Sequence, residues 1–255
     1  NVSGLKAKVG TEYFVNFSVT TLESEPLVPK GYEIAHEQFR LPIDPASRSF
    51  SVQGPALQCS ENGNLLSVQS SRVAFVFDKS TGLVTSYKVK GTEYFHEGFG
   101  IQPNFWRAPN DNDYGSQMPK RLQIWKQSSK NFNVVDVSLA MDGKDAVLKV
   151  SYLLAAGNLY IATYRIHPSG VVKANYTFTS TEMEAAKTEA SEATLMATFT
   201  PGNEAIRKES SKLVVPRIGV RFRLPAEMEQ VTYFGRGPEE NYIDRNAGTL
   251  IDLYK

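Results

Sequence analysis

Cysteine is nearly missing from this chain: Cys59 is the single one among 255 residues. One thiol cannot build a disulfide framework or a thiolate metal cluster, and it says nothing about a redox compartment. Histidine is almost as scarce. His36, His96 and His167 lie far apart without ligand spacing, so they are expected to be structural or surface residues rather than a metal or catalytic set. A surplus of one charge is missing too: 28 basic residues face 27 acidic ones, well mixed, for a net +1. With no basic face, nucleic acid and anionic membranes are not expected partners. Long apolar runs are absent, and stretches such as 153–156 fall far short of the ~20 residues a bilayer-spanning helix needs. Neither an initiator Met nor a leader-like stretch opens the chain. The expectation is a piece of a longer protein, with targeting and compartment not readable from it.

A hydrophobic fraction of 41% with 11% aromatics is enough for a sizeable core. The pattern is that of strands. Tyr13 to Val19 and Glu33 to Leu41 are strand candidates flanking a loop with Pro26 and Pro29. Two or three strands cannot close a core alone, so this region is expected to be the tail of a sandwich whose earlier strands lie upstream. Pro42 to Pro55 has linker composition. Strands are then expected at 65–68, 73–77 and 83–89. The turns between them are 78–82, where Gly82 supplies positive φ, and Lys90-Gly91. Segments 134–137, 146–153, 159–166 and 171–178 recur at roughly 12-residue spacing with turn residues between them, as in an antiparallel sheet of a large sandwich. In the last, Lys173, Asn175 and Thr177 face one way and Val172, Ala174, Tyr176 and Phe178 the other, giving one wet and one dry side. Residues 120–126 have some helical spacing, and 182–192 reads as an exposed helix or a loop. Three glycosylation-like tripeptides, at Asn1, Asn16 and Asn175, are read as chance.

Two polar stretches interrupt this pattern. In Phe105-Trp-Arg-Ala-Pro-Asn-Asp-Asn-Asp-Tyr-Gly115, Pro109 forbids a ladder and the Asn and Asp side chains bond their own backbone. Its carboxylates need partners, and Arg107, Lys120 and Arg121 are candidates. The second stretch is Tyr233-Phe-Gly-Arg-Gly-Pro-Glu-Glu-Asn-Tyr-Ile-Asp-Arg245. Each has a structural reading, a self-satisfied turn, and a functional one, a sugar-facing surface. Sugars are recognised by planar acceptors and by aromatic faces, which Phe105, Trp106, Asp111, Asn112, Asp113 and Tyr114 supply. Glu239, Glu240 and Asp244 are further acceptors. Two carboxylates can do glycosidic chemistry only at defined separations of roughly 5 or 6.5–9.5 Å, which a sequence does not provide.

The first stretch resembles the R-A-P-x-D-N-D-x-G signature of the C-terminal domain of glycoside hydrolase family 2 β-galactosidases. The second is similar to that domain's W-Y-G-x-G-P-x-E-N-Y-x-D-R signature, and Leu213 to Pro225 resembles the segment before it. The likeness covers nearly the whole chain. It implies an all-β protein: residues 1–45 as the C-terminal part of an immunoglobulin-like sandwich, 46–56 as a linker, and 57–255 as a large antiparallel sandwich of the galactose-mutarotase type (a supersandwich), incomplete at its C-terminus. It also implies that the catalytic Glu pair sits on a (β/α)₈ barrel that is not part of this sequence. The Mg and Na ions often used by the family would sit on that barrel as well, so neither a cofactor nor a metal is expected on this chain. Gly202-Asn-Glu204 mimics the family's Asn-Glu, but not in a barrel strand. The resemblance implies that Asn110 to Arg121 is a mobile rim segment of the active site, with Gly115 as hinge, and that the family's C-terminal stacking Trp has no counterpart here. The substrate-facing set is then Trp106, Arg107, Asn110, Asp111, Asn112, Asp113, Tyr114, Gly115, Arg236, Glu239, Glu240, Asn241, Tyr242, Asp244 and Arg245, with no catalytic residue among them. Expected partners are a β-galactoside, the parent's catalytic barrel and further copies in a homo-oligomer.

Three functions follow. The first is the non-catalytic C-terminal part of a β-galactosidase. The second is a free-standing carbohydrate-binding module with Trp106, Tyr114 and Tyr242 as its platform. The third is a mutarotase-like epimerase, prompted by fold likeness alone.

Overall fold

The computed structural model describes residues 8–43, 53–155, 157–179, 214–241 and 245–255. The linker at 46–56 falls mostly outside this set. So do Glu204, the 182–192 segment, the tripeptide at Asn1, and Tyr242 and Asp244. The architecture is all-β, with antiparallel sheets and only short helices. By contacts the chain forms two compact units, Ser51–Glu227 and Asn1–Phe50 with Met228–Lys255.

In the first stretch of the chain, β1 (Phe14–Thr20) and β2 (Glu33–Arg40) form an antiparallel hairpin in which Val15 faces Phe39 and Phe17 faces Glu37. Its β-branched and aromatic residues suit strands. Yet Phe17, Val19, Ile34 and Phe39 are all more than half exposed.

The larger unit holds two facing sheets. One is a meander of β3 (Gln58–Asn62), β4 (Leu65–Gln69), β5 (Val73–Asp78), β6 (Leu83–Val89) and β7 (Thr92–Glu93), in chain order. In β5 the period-2 pattern points Val73, Phe75 and Phe77 inward, each at 2% exposure or less. The β5–β6 turn needs Gly82: its φ is +71°, and a Cβ there would lie 2.4 Å from Val134 Cγ2. Lys90 and Gly91 both adopt positive φ, as the two-residue turn before β7 requires. Glu93 then ties this corner. Its carboxylate accepts the Ser86 hydroxyl and the N–H groups of Tyr87, Tyr94 and Phe95, the last three at 3.0–3.1 Å.

After β8 (Gln102–Asn104) come three short helices, α1 (Asp111–Gly115), α2 (Met118–Arg121) and α3 (Gln123–Ser128). The second sheet follows: β9 (Phe132–Asp142), β10 (Asp145–Leu154), β11 (Leu159–Ile166) and β12 (Val172–Thr179), ordered β12-β11-β10-β9. β12 alternates as its sequence requires, with Lys173, Asn175 and Thr177 exposed. The sheets pack through aromatics, with Phe75 and Tyr164 ring centroids 5.8 Å apart. They are also bonded: the Tyr152 hydroxyl donates to the Gly82 carbonyl at 2.8 Å, and Tyr87 donates to Gly170 O. Burial pushes the phenols of Tyr152, Tyr160 and Tyr164 well up, so they stay neutral. β13 (Gly219–Arg221) returns to pair with β8.

The chain ends in the smaller unit with β14 (Tyr233–Gly237) and β15 (Leu250–Tyr254), a second antiparallel pair. Gln38 of β2 bonds Ile251 twice, accepting its N–H at 2.8 Å and donating to its carbonyl at 2.9 Å. Strands β3, β8 and β13 carry no alternating apolar pattern, and β8 even contains Pro103. Only their pairing partners make them strands.

Candidate functional site

The polar stretch after β8 begins in the core. Phe105 is fully buried, edge-on to Tyr160 at 5.2 Å, and its N–H donates to Ser129 Oγ at 2.8 Å. The expected stacking role of Phe105 is therefore corrected: its ring fills the space between Trp125, Tyr160 and Phe178 and has no face toward a ligand. Trp106 is half-buried, with Lys126 Nζ 5.9 Å from its ring centroid.

The next turn is braced from within. Asn110 is the N-cap of α1. Its side chain accepts the Asp113 N–H at 3.0 Å, and the Asp113 carboxylate accepts the Asn110 N–H at 2.9 Å, closing a capping box. The Arg107 guanidinium clamps the same carboxylate with both amino groups, one at 2.7 Å. Asp113 is only 8% exposed. The Arg107 hydrogen bond, then the Asn110 N–H, hold its carboxyl below the usual range. Arg107 rather than Lys120 or Arg121 is the partner, because it precedes the turn and reaches across it; the other two are exposed on α2.

Asp113, Asn110 and Arg107 are thus spent on shape. Asp111, Asn112, Tyr114 and Gly115 are what the turn presents to solvent, with Tyr114 64% exposed. Gly115 takes an ordinary helical position; the left-handed residue of the segment is Gln117, at φ 56°. Met118, Leu122 and Trp125 then dip into the core and fix the far end. In this segment the sequence shows helical spacing at 120–126; the signal for the short helix at 111–115 is its Asn110–Asp113 capping pair.

The second stretch lies in the smaller unit. Arg236 Nη1 donates to the carbonyls of Asn246 and Thr249, both at 2.7 Å, so it serves the backbone. Asn241 donates to the Arg236 carbonyl at 3.3 Å. Glu239, Glu240 and Arg245 are exposed, while Tyr242 and Asp244 lie outside the described residues. Glu239 and Arg245 line a cleft together with Glu33 and His36, which strand patterning alone did not single out. Among the described residues, no group of three or more His, Cys, Asp or Glu is arranged to hold a metal ion. No described helix is long and apolar enough to cross a membrane.

The family model described as "Beta galactosidase small chain" matches residues 69–255. The chain belongs to that family. A second model, "Beta-galactosidase, domain 4", matches residues 2–42. The small-chain match runs unbroken across the point where contacts assign Met228–Lys255 to the smaller unit. Similar proteins include the β-galactosidase of Priestia megaterium, 30% identical over 96% of this chain, that of Lactococcus lactis, 29% over 93%, and that of Kluyveromyces lactis, 27% over 93%. The chain spans about a fifth of the length of these curated relatives, 21–22%.

Proposed function

We propose that this chain is the C-terminal, non-catalytic part of a β-galactosidase whose remaining sequence carries a retaining double displacement on terminal β-D-galactosides. Residues 1–45, 46–56 and 57–255 are taken as a partial immunoglobulin-like sandwich, a linker and a mutarotase-like sandwich. The chain would border the active site, pack against the catalytic barrel and take part in a homo-oligomer; the exposed Phe17 and Phe39 support that packing. No metal is assigned to this chain. The Mg and Na expected for such an enzyme would be held by the barrel.

One observation carries the reading. The 105–115 turn spends Arg107, Asn110 and Asp113 on its own rigidity and thereby holds Asp111, Asn112 and Tyr114 outward. A rim needs that division: a stem that does not bend, and tip acceptors and an aromatic edge free for hydroxyls. The alternative of a free-standing binding module, with Trp106, Tyr114 and Tyr242 as its platform, is less well supported, since the Trp106 ring is half-buried.

Two assays test this. The purified 255-residue chain should leave a chromogenic galactoside uncleaved, and turnover at the rate of a complete β-galactosidase would overturn the proposal. In the complete enzyme, Asp111→Ala with Tyr114→Ala should raise KM several-fold with kcat less affected, because the rim binds without entering the bond-breaking step.

A further inference from the structure

A cleft of about 400 Å³ opens in the smaller unit, lined by Glu33 and His36 of β2, by Glu239, Arg245 and Leu250, and by Tyr254 of β15. That volume falls in the ~300–1,000 Å³ range of small-ligand sites. We propose that it binds a neutral mono- or disaccharide, at a site on a different unit from the 105–115 turn. The two proposals stand or fall separately.

Part of the lining is already braced. His36 Nδ1 is bonded to Glu33 Oε1 at 2.9 Å, and the other Glu33 oxygen accepts the Ser18 hydroxyl. These bonds orient the imidazole and leave Nε2 as its free edge. Two other groups are uncommitted. Among the described residues, the Arg245 guanidinium and the Glu239 carboxylate form no hydrogen bond or ion pair. A guanidinium offers only donors in a planar fork, and a carboxylate offers only acceptors. Each sugar hydroxyl is both donor and acceptor, so adjacent hydroxyls satisfy the two groups at once. Their charges oppose, and Glu33 adds a second carboxylate to the lining, so an anion is not favoured over a neutral ligand. Leu250 and the Tyr254 ring form the apolar wall that a sugar's C–H face requires. The Tyr254 hydroxyl is engaged elsewhere, 2.8 Å from Gly237 O and 2.9 Å from Leu250 O, so Tyr254 contributes its ring alone.

The experiment is an NMR titration of the ¹⁵N-labelled 255-residue chain with galactose and with lactose, using sodium sulfate as the anion control. Saturable shifts are expected at amides of residues 33–36, 237–241 and 245–250, with Kd of roughly 1–10 mM. Glu239→Gln and Arg245→Met should each weaken binding about tenfold, as loss of a central polar contact does. Asp111→Asn should leave it unchanged. Both cleft residues are exposed, so the variants should keep the parent's circular dichroism and melting temperature. Three results would overturn the proposal: shifts that never saturate, shifts confined to residues 110–115, or a response to sulfate without one to sugar.

Discussion

Asp113 shows how a residue inside a recognition-like motif can be committed to structure. Its carboxylate is held low by the Arg107 guanidinium and the Asn110 N–H. The folded state therefore binds that proton less tightly than the unfolded chain. The resulting stabilisation is full above the ordinary Asp value of ~4 and is lost as pH falls through the lower folded value. Glu93 behaves in the same direction: burial opposes its charge, but the Ser86 hydroxyl and three backbone N–H groups outweigh it. Asp113→Asn should cost ~1–3 kcal/mol at neutral pH in urea unfolding. It should also flatten, without abolishing, the fall of Tm as pH drops below about 4, because Glu93 still contributes. An unchanged pH slope would remove the clamp from the account. Two buried tyrosines make a second contrast. Tyr152 donates to Gly82 O, whereas Tyr160 Oη is buried with no protein partner. Tyr152→Phe should lose ~1 kcal/mol, while Tyr160→Phe should be neutral or gain a similar amount, because it removes an unpaired polar atom. Equal losses in both would contradict this.

Among the elements, the β14–β15 hairpin holds a glycine where an added side chain would have to displace two tyrosine rings. A Cβ on Gly237 would lie 2.3 Å from the Tyr233 hydroxyl and 3.1 Å from the Tyr254 ring. Those rings pack at 5.4 Å between centroids across the pair. Gly237→Ala should destabilise the hairpin by ~1–3 kcal/mol through overpacking. The readout is loss of amide protection at 250–254, with protection in β10 and β11 retained. The short helices show the opposite relation between local sequence and context. α1 is specified locally by its capping box, but five residues cannot sustain a helix alone. It persists because Phe105 on one side and Met118, Leu122 and Trp125 on the other are anchored in the core.

Over the whole molecule burial is unevenly shared. Every buried hydrophobic residue among those described, from Leu57 to Ile166, belongs to the larger unit. In the smaller unit only Gly237 and Thr249 are buried among the described residues. Apolar burial is the main favourable term in folding, so local stability should follow it. Native-state hydrogen exchange should therefore show β10 and β11 opening only with global unfolding, and β1 and β2 exchanging far faster through local opening. Equal protection in both units would mean that the smaller one draws stability from elsewhere.

Much was legible in the chain alone. Period-2 alternation located β4 to β6 and β9 to β12, turn chemistry located Gly82 and Lys90-Gly91, and the two polar signatures pointed to the family. These are local properties, set by the steric limits of the backbone and by which side of a strand each apolar residue takes. Tertiary structure decided what distance along the chain conceals. It made strands of the polar 58–62 and Pro-containing 102–104 segments, since pairing rather than propensity formed them. It turned Phe105 inward and Tyr114 outward within one motif. It also brought Glu33 and His36 beside Glu239 and Arg245, residues some two hundred positions apart, because only packing of the two hairpins determines which side chains share a cleft.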